Sequence, residues 1–298
     1  MRGHIFKALV KRMADDKTLF FLTGDMGINL VEVIEQQYPS RFLNVGIAEQ
    51  NLIGIAAGLC NAGYRPVAYT ISNFLIHRCL EQIRDDVALH QYPVILLGTG
   101  GGFDNAPLGP THHIVDEWGI IRGFPGIDIY APASVEFAAS LFDRILEKRQ
   151  PTYIRCAKGS PSIPTAAEDV SYVPGNGSGP LLISYGALAS ECIKAQAQRA
   201  DLAVLVVNRI HPIEVALTNH LAKHAQAFVV EDHFGHTGLY SSLCQLAMQQ
   251  RLDTFIRSIA PPLDYDLVVG QSSDFYHRKY GLDAAGILGR LAAVDGET

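Results

Sequence analysis

The stretch that decides the fold is RFLNVGIAEQNLIGIAAGLCN, residues 41–61, in which a short apolar run leads into a helical pattern. Residues 42–45 predict a buried strand, and residues 48–61 predict a helix whose small residues, among them Gly54 and Gly58, share one nearly flat face. Glycine lowers helix propensity by about 1 kcal/mol per residue, so packing against that face must offset the cost. Tight packing within the domain and a close subunit interface both explain it.

The alternation of apolar runs and helical segments continues on both sides of this stretch. Continuous apolar strands joined by helices are typical of a parallel sheet that is covered on both faces. The predicted strands cover residues 19–23, 42–45, 66–71, 93–98, 127–131 and 152–156, followed by 181–185, 203–207, 227–231 and 254–259. The predicted helices cover residues 5–13, 30–37, 48–61, 74–90 and 135–148, followed by 188–199, 213–224, 240–249 and 284–293. The sequence therefore predicts an α/β protein of two domains, each a mostly parallel sheet flanked by helices.

The segment AKGSPSIPTAAEDVSYVPGNGSGP, residues 157–180, interrupts this alternation with proline, glycine and serine. Such a composition is typical of a linker between domains. We therefore predict a first domain over residues 1–158, a linker over 159–180 and a second domain over 181–298. A chain of 298 residues fits two domains, since a domain usually has about 100–200 residues.

Composition and charge argue against several classes of protein. The net charge is −6 with no basic block, which disfavours a nucleic-acid binder. No apolar run reaches the roughly 18–20 residues of a membrane span, and we expect no secretory signal. The five cysteines are scattered and odd in number, so we expect reduced thiols and a cytoplasmic protein. His112, His113 and Asp116 form a poor metal cluster, because adjacent histidines rarely face one ion, and no metal ligand is predicted.

Three segments carry a more specific signal. They are RFLNVGIAEQNL at residues 41–52, ISNFLIHRCLEQIR at residues 71–84 and LGPTH at residues 108–112. In this order and at this spacing, they resemble the pyrimidine-binding half of the thiamine diphosphate enzymes of the transketolase family, which includes the deoxyxylulose phosphate synthases. The resemblance covers nearly the whole chain. It implies a thiamine diphosphate-binding pyrimidine domain followed by a transketolase C-terminal domain.

The resemblance implies two catalytic residues. Glu49 matches the family carboxyl group that exchanges a proton with the pyrimidine ring of the cofactor, a role that requires a dry pocket. His112 matches the family histidine that hydrogen-bonds the substrate and its developing oxyanion. Taken alone, Glu49 is more typical of an acid in the first turn of a helix. The alternative for His112 is a residue that starts a helix after a Pro-Thr turn.

Three further residues are implied to bind the cofactor together with Glu49. Phe74 matches the aromatic residue that stacks on the pyrimidine, although an aromatic residue after an apolar run is more often plain core. Arg78 matches an arginine of the synthase branch of the family. Asp25, within residues 24–27, completes the implied set.

Five residues are implied to meet the substrate. Arg155 and Arg2 match arginines that hold the sugar phosphate, and a surface arginine is the alternative for each. Asn29 replaces a serine of that pocket, and His77 replaces a tyrosine, with a solvated helix position as its alternative. Leu108 occupies the position at which sugar transketolases carry an acid that recognises a hydroxyl group of the substrate. The catalytic part of the family pattern is therefore intact, while its substrate part is altered.

The family part that binds the diphosphate and Mg²⁺ has no counterpart in the sequence, since the GDMG at residues 24–27 lies in the pyrimidine-binding half. The resemblance therefore implies the C-terminal subunit of a split transketolase. A separate N-terminal transketolase-like subunit would carry the diphosphate/Mg²⁺-binding domain, and two copies of each chain would form an α2β2 heterotetramer. The implied reaction moves a two-carbon ketol unit from a ketose to an aldose through thiamine diphosphate, with small-molecule sugars as substrates and neither nucleic acid nor membrane as a partner.

Three alternatives stay open at this point. The first is the β subunit of an enzyme like the 2-oxoacid dehydrogenases, or of an acyloin-forming relative. The second is a reaction like that of the deoxyxylulose phosphate synthases. The third is a scaffold subunit that kept the fold without catalysis, against which the presence of Glu49, Phe74 and His112 argues.

Overall fold

The structure is a computed structural model that describes residues 1–159, 163 and 168–296. Its strands form two sheets, one of seven strands and one of five. The strands are β1 (Leu19–Thr23), β2 (Phe42–Asn44), β3 (Arg65–Ile71), β4 (Ile95–Thr99), β5 (Asp128–Tyr130), β6 (Thr152–Cys156), β7 (Val170–Val173), β8 (Leu181–Ser184), β9 (Ala203–Val207), β10 (Arg209–His211), β11 (Gln226–Val230) and β12 (Phe255–Ile259). The predicted α/β fold with two mostly parallel sheets is confirmed.

The seven-stranded sheet has the order β10-β5-β6-β4-β3-β1-β2. All of its strand pairs are parallel except the antiparallel pair of β10 and β5. Every residue of β4 is buried, as expected for a strand that lies inside a sheet with helices on both faces. The carboxyl ends of the parallel strands consequently meet at one edge, where the loops that follow them can form a site.

The five-stranded sheet has the order β12-β11-β8-β9-β7, with β7 antiparallel to β9. Two strands differ from the prediction. The strand β7 lies within the predicted linker, of which residues 160–162 and 164–167 fall outside the described residues. The strand β10 comes from the predicted second domain but pairs with the first sheet. Both are edge strands of three or four residues, too short to show a periodicity, and the proposed domain boundaries stay a prediction.

The helices follow the predicted positions in most places. They are α1 (Arg2–Asp15), α2 (Val31–Gln37), α3 (Glu49–Asn61), α4 (Ser72–His77), α5 (Leu80–Gln82), α6 (Glu117–Ile121), α7 (Val135–Glu147), α8 (Ala189–Gln198), α9 (Thr218–Leu221), α10 (Leu239–Gln250), α11 (Ser273–Tyr280) and α12 (Ala284–Asp295). The predicted helix 74–90 is instead broken into α4, α5 and a π-helical turn at Ile83–Ala88. The predicted helix 213–224 shortens to α9, and neither α6 nor α11 was predicted.

Apolar clusters cover both faces of each sheet, and one of them runs through both halves of the chain. In that cluster the ring of Trp118 meets the ring of Tyr185 edge to face, with centroids 4.4 Å apart. This packing holds the loops at the carboxyl edge of the first sheet against the second half. Within the described ranges, no helix has the length and apolar character needed to cross a bilayer.

Candidate active site

The carboxyl edge of the first sheet brings together four of the predicted residues. Glu49 begins α3 after β2, Phe74 and Arg78 follow β3, and His112 lies in the loop after β4. Parallel strands place the loops after them at the same edge, which is how segments far apart in sequence meet here. We call Glu49, Phe74, Arg78 and His112 the edge cluster.

Glu49 is the buried acid of the edge cluster, with 5% of its surface exposed. Its Oε2 accepts a hydrogen bond from Nη1 of Arg78 at 3.1 Å. The Arg78 side chain is 48% exposed, so the pair borders solvent on one side. A cavity of about 440 Å³, lined by residues 47–51 and Arg78, adjoins the carboxylate. The acid is therefore enclosed by protein on one side and accessible from the cavity on the other.

Phe74 connects the two ends of the edge cluster. The guanidinium carbon of Arg78 lies 3.8 Å from the centre of the Phe74 ring, which is a cation–π contact. The imidazole of His112 meets the same ring edge to face, with centroids 5.1 Å apart. The aromatic ring thus lies between the Glu49–Arg78 pair and His112.

These contacts show whether the residues present fit the pyrimidine part of thiamine diphosphate. An aminopyrimidine is planar and rich in nitrogen, and it needs a carboxyl partner for its nitrogens and an aromatic face for its ring. The guanidinium of Arg78, which is also planar and rich in nitrogen, bonds to Glu49 and covers Phe74 at the same time. The cluster therefore fits such a ring, and Arg78 must leave the face of Phe74 before a ring can stack there.

His112 supplies a neutral imidazole at this edge. Burial, followed by the positive charges of Arg78 and Lys158, lowers the pKa of His112 below its usual value. Its Nδ1 lies 2.9 Å from the hydroxyl oxygen of Thr111. A neutral imidazole has one N–H donor and one acceptor nitrogen, so His112 can donate a hydrogen bond to a substrate oxygen.

His77 lies beside the edge cluster, on the wall of a second cavity of about 370 Å³. Its Nε2 is 3.1 Å from Oδ1 of Asp116. The hydrogen bond to Asp116 is the main cause that raises the pKa of His77 above its usual value. Phe74 and Asp116 also line this cavity, which connects His77 to the ring of the edge cluster.

Arg155 occupies a different environment from the one that the sequence predicted. Its side chain is only 6% exposed, with Nε 2.8 Å from Oε1 of Glu117 and Nη1 2.8 Å from Oδ1 of Asp232. Its Nη2 donates to the carbonyl of Ile114 at 3.3 Å. Two carboxylates of the same chain already hold the guanidinium. The expected contact of Arg155 with a sugar phosphate stays a prediction. The pair with Asp232 ties the first sheet to the second half of the chain.

The second half of the glycine-rich segment 98–102 lies against this buried arginine. A Cβ atom at Gly101 would lie 2.6 Å from Nε of Arg155, so only glycine allows the loop to pass this close. Gly102 also has a positive φ of 56°, which favours glycine for conformational reasons. Gly101 and Gly102 therefore allow close packing over Arg155 and its partner Asp232.

The remaining predicted residues lie outside the edge cluster. Asp25 and Asn29 are exposed in the loop after β1, and the backbone N–H of Asp25 donates to Oδ1 of Asn44 at 3.0 Å. Arg2 begins α1, where its guanidinium lies beside the hydroxyl of Tyr69. The side chain of Leu108 is exposed at 55%.

The family model described as transketolase, pyrimidine binding domain, matches residues 1–162, more than half of the chain. The chain belongs to the transketolase family. Its membership confirms the resemblance to a C-terminal, transketolase-type enzyme subunit and the prediction of an enzyme of this type.

Two curated relatives place the chain within the transketolase family. It is 34% identical over 223 residues to a subunit of the apulose-4-phosphate transketolase of Actinobacillus succinogenes, covering 71% of each chain. It is 31% identical over 267 residues to 1-deoxy-D-xylulose-5-phosphate synthase of Rhodopirellula baltica, covering 84% of this chain. The match spans only 41% of the synthase, so the chain corresponds to less than half of that protein.

A solved structure titled split gene transketolase, inactive beta4 tetramer, has the same fold. The TM-score is 0.84 at 22% sequence identity, and the match covers 97% of this chain and 95% of that one. At this identity the likeness supports the fold of the transketolase family and no more.

Sequence reasoning gave no role in the active site to three acids that the transketolase fold brings together beneath it. Asp116 and Glu117 lie at the start of α6, and Asp232 follows β11. Burial raises the pKa of Glu117 to about 7, against the opposing effect of Arg155. The available signal was an acid directly after an apolar strand, as in VVED at residues 229–232, because such a position lies at the carboxyl edge of a parallel sheet.

Proposed function

We propose that this chain is the C-terminal subunit of a two-component transketolase, which moves a two-carbon ketol unit from a ketose donor to an aldose acceptor with thiamine diphosphate. The observation that carries the proposal is the edge cluster, in which a buried acid, an aromatic ring and a neutral histidine adjoin one another. Glu49 reaches Arg78 at 3.1 Å, and the ring of Phe74 lies 5.1 Å from that of His112. A subunit kept only as a scaffold would have no need for this arrangement.

Each residue of the edge cluster has a defined task in this proposal. Thiamine diphosphate, when bound, supplies the carbon nucleophile for ketol transfer. Glu49 holds a proton at its carboxyl group for a pyrimidine nitrogen, and its burial favours that exchange over one with water. Phe74 orients the pyrimidine ring by stacking, and His112 donates its N–H to a substrate oxygen. Asp25 and Arg78 stay proposed as cofactor ligands, and Arg2, Asn29 and Leu108 as neighbours of the substrate.

A second polypeptide completes the site in this proposal. It would bring the diphosphate and Mg²⁺ ligands, and two copies of each chain would form the heterotetramer. The open cavity beside Glu49 and the 77% exposure of Ile47 next to it support a missing surface there. Added Cβ atoms at Gly54 and Gly58 on α3 would meet no other atom within 4 Å, so this flat face is available for close approach by another chain. Two relatives, each named as one subunit of an apulose-4-phosphate transketolase, also support the proposed partner.

The proposal includes a metabolic setting. Sugars are the proposed small-molecule substrates, and the five cysteines, all described and all free thiols, fit the reducing cytoplasm in which we place the protein.

Reconstitution with the N-terminal subunit tests the proposed function. The purified pair, with thiamine diphosphate and Mg²⁺, should convert ketose and aldose mixtures, and Glu49→Gln should abolish turnover. Glu81→Gln, which neutralises an exposed acid, is the matched control and should leave turnover unchanged. Near-normal activity of the Glu49→Gln pair would show that Glu49 is not the acid that serves the cofactor.

A reaction like that of the deoxyxylulose phosphate synthases is the second candidate. The 31% identity to the Rhodopirellula baltica synthase favours it. Assays that offer the reconstituted pair pyruvate or a ketose as donor distinguish the two, since the synthase-type reaction releases CO₂ from pyruvate and ketol transfer from a ketose does not. A pair that uses 2-oxoacids with a lipoyl carrier would instead indicate the β subunit of a dehydrogenase.

A further inference from the structure

The cavity of about 370 Å³ beside Phe74 lies between the two halves of the chain. One wall carries His77 and Asp116 from the first half, and the other carries Asp264 and Asp266 from the segment after β12. This chain alone supplies both walls. Assigning this cavity to the sugar that meets the edge cluster rests on the proposed function.

The hydrogen bonds around His77 define its protonation state. Nδ2 of Asn73 donates to the carbonyl of His113 at 2.6 Å, so Oδ1 is the Asn73 atom that faces Nδ1 of His77, at 3.2 Å. Nε2 of His77 faces the carboxylate of Asp116 at 3.1 Å. Both ring nitrogens therefore face acceptors and both must carry hydrogen. With both N–H groups engaged, His77 orients Asp116 instead of binding a sugar itself.

Asp116 remains available to a ligand in the cavity. Its side chain is 23% exposed although it is fixed by His77. An ionised carboxylate only accepts hydrogen bonds, so it suits a hydroxyl donor. Leu108, at the position where the resemblance places a hydroxyl-reading acid, is exposed and lies outside the lining of this cavity. Asp116 thus provides an acid at the cavity that the Leu108 position does not.

The charges around the cavity disfavour a phosphate. Three carboxylates line it, on Asp116, Asp264 and Asp266. Among the residues that line it, His77 has Asp116 as a carboxylate partner and Arg78 has Glu49, and Lys279, outside the lining, has Asp266. Arg155, the arginine expected to hold phosphate, is buried between Glu117 and Asp232. A phosphate dianion would therefore be repelled by these acids, whereas hydroxyl groups can donate to them.

We propose that Asp116, oriented by His77, is a specificity-determining residue that accepts a hydrogen bond from a hydroxyl group of an unphosphorylated sugar chain in this cavity. Asp264, on the opposite wall, repels a phosphorylated chain. The substrate class is therefore a polyhydroxylated aldehyde or ketone whose end in this cavity carries no phosphate.

Kinetics of the reconstituted pair with D-ribose and D-ribose 5-phosphate as acceptors test this inference. We expect at least a tenfold higher kcat/KM for D-ribose, roughly the effect of one lost charge-assisted hydrogen bond. The substitution Asp116→Asn should lower kcat/KM for D-ribose roughly 10- to 100-fold, mainly through KM, because a hydrogen bond to a charged group is lost. The same variant should raise kcat/KM for D-ribose 5-phosphate, since it removes a repelling charge. A merely structural role would lower both values together.

Further variants sharpen the test. His77→Ala should lower kcat/KM for D-ribose, as Asp116→Asn does. His77→Gln keeps a hydrogen-bond donor toward Asp116 and should lose less kcat/KM than His77→Ala. Asp85→Asn, an exposed acid outside the cavity lining, is the control and should change neither acceptor. Preference for D-ribose 5-phosphate, or equal effects of Asp116→Asn on both acceptors, would overturn the inference.

Ligand-observed NMR separates this inference from the proposed function. If the pair turns over no ketose and aldose mixture, the proposed function fails, but the cavity within this chain can still be tested with the two riboses. D-Ribose should then bind the full chain and lose binding with Asp116→Asn. Binding of D-ribose 5-phosphate in preference to D-ribose would contradict the inference in that assay too.

Discussion

The guanidinium of Arg78 bridges Glu49 and Phe74, with Nη1 3.1 Å from the Glu49 carboxylate and the guanidinium carbon 3.8 Å from the centre of the Phe74 ring. One planar group therefore meets both the acid and the aromatic face that the proposed cofactor would use. Substitution of Phe74 is therefore as informative a test of cofactor binding as substitution of Glu49.

Substitution of Phe74 should weaken thiamine diphosphate binding to the reconstituted pair. We expect Phe74→Ala to raise Kd roughly three- to tenfold, because an aromatic pair contributes about 0.5–1.5 kcal/mol beyond its buried area. Phe74→Tyr keeps the ring and should bind nearly as the wild type does. Isothermal titration calorimetry at fixed Mg²⁺ gives both values, and an unchanged Kd for Phe74→Ala would exclude the stacking role.

Loss of Asp232 should destabilise the chain strongly. Asp232→Asn leaves the guanidinium of Arg155, only 6% exposed, without one of its two carboxylate partners. Removing one partner of a buried ion pair costs about 3–5 kcal/mol, so denaturant unfolding should report a loss of that size. Asp143→Asn removes the partner of Arg12 at a site where the acid is 58% exposed, and should cost less than about 1 kcal/mol. Similar losses for the two variants would contradict the structural role of the Arg155 network.

The pKa of His77 should be raised in the native chain and return toward its ordinary value in Asp116→Asn. Because the folded value lies above the unfolded one, the pair stabilises the fold fully below about pH 6.5, and this stabilisation is lost as pH rises through the folded pKa. An NMR titration of the His77 ring measures the shift. An ordinary pKa in the wild type would show that the bond to Asp116 does not persist in solution.

Glu231 should make stability fall as pH rises. Burial raises the pKa of Glu231 to about 8, although backbone N–H groups of Leu239 and Tyr240 donate to its carboxyl oxygens and oppose the shift. The folded chain therefore keeps this proton up to about pH 8, whereas the unfolded chain releases it near pH 4.5. Between these two pH values, the free energy of unfolding should fall by up to about 1.4 kcal/mol per pH unit. Glu231→Gln keeps an acceptor at the start of α10 and should flatten the decline. Parallel pH curves of unfolding free energy for both proteins would refute this.

The open face of α3 should respond differently to small and large side chains. Gly58→Ala should stabilise the isolated chain by about 0.5–1 kcal/mol, since its Cβ would meet no other atom within 4 Å and glycine lowers helix stability. Gly58→Leu should leave the isolated chain folded but weaken association with the N-terminal subunit. Thermal unfolding and analytical ultracentrifugation measure the two effects. Normal assembly of Gly58→Leu would remove α3 from the proposed interface.

The strand prediction succeeded where apolar runs were long and buried on both faces, as in β4, and missed the two edge strands β7 and β10. The strand β10 has only three residues, so its pairing depends on β5 and not on its own pattern. The predicted helix 74–90 has a continuous apolar periodicity, but the chain breaks it after His77 and resumes in a π-helical turn. The break lies where Phe74 contacts both Arg78 and His112. Apolar periodicity carries no information about such contacts between distant segments.

The sequence alone determined the α/β class, because buried parallel strands need long apolar runs. The residues of the edge cluster came from the resemblance of three short segments to the transketolase family. The tertiary structure decided which charged residues are available to a ligand. Arg155 matched a phosphate ligand in sequence, but Glu117 and Asp232 hold its guanidinium, and Asp116 gained a role only from His77 and the cavity between the halves. Charge is easy to predict from sequence, but its availability depends on partners that only the folded chain brings within about 3 Å.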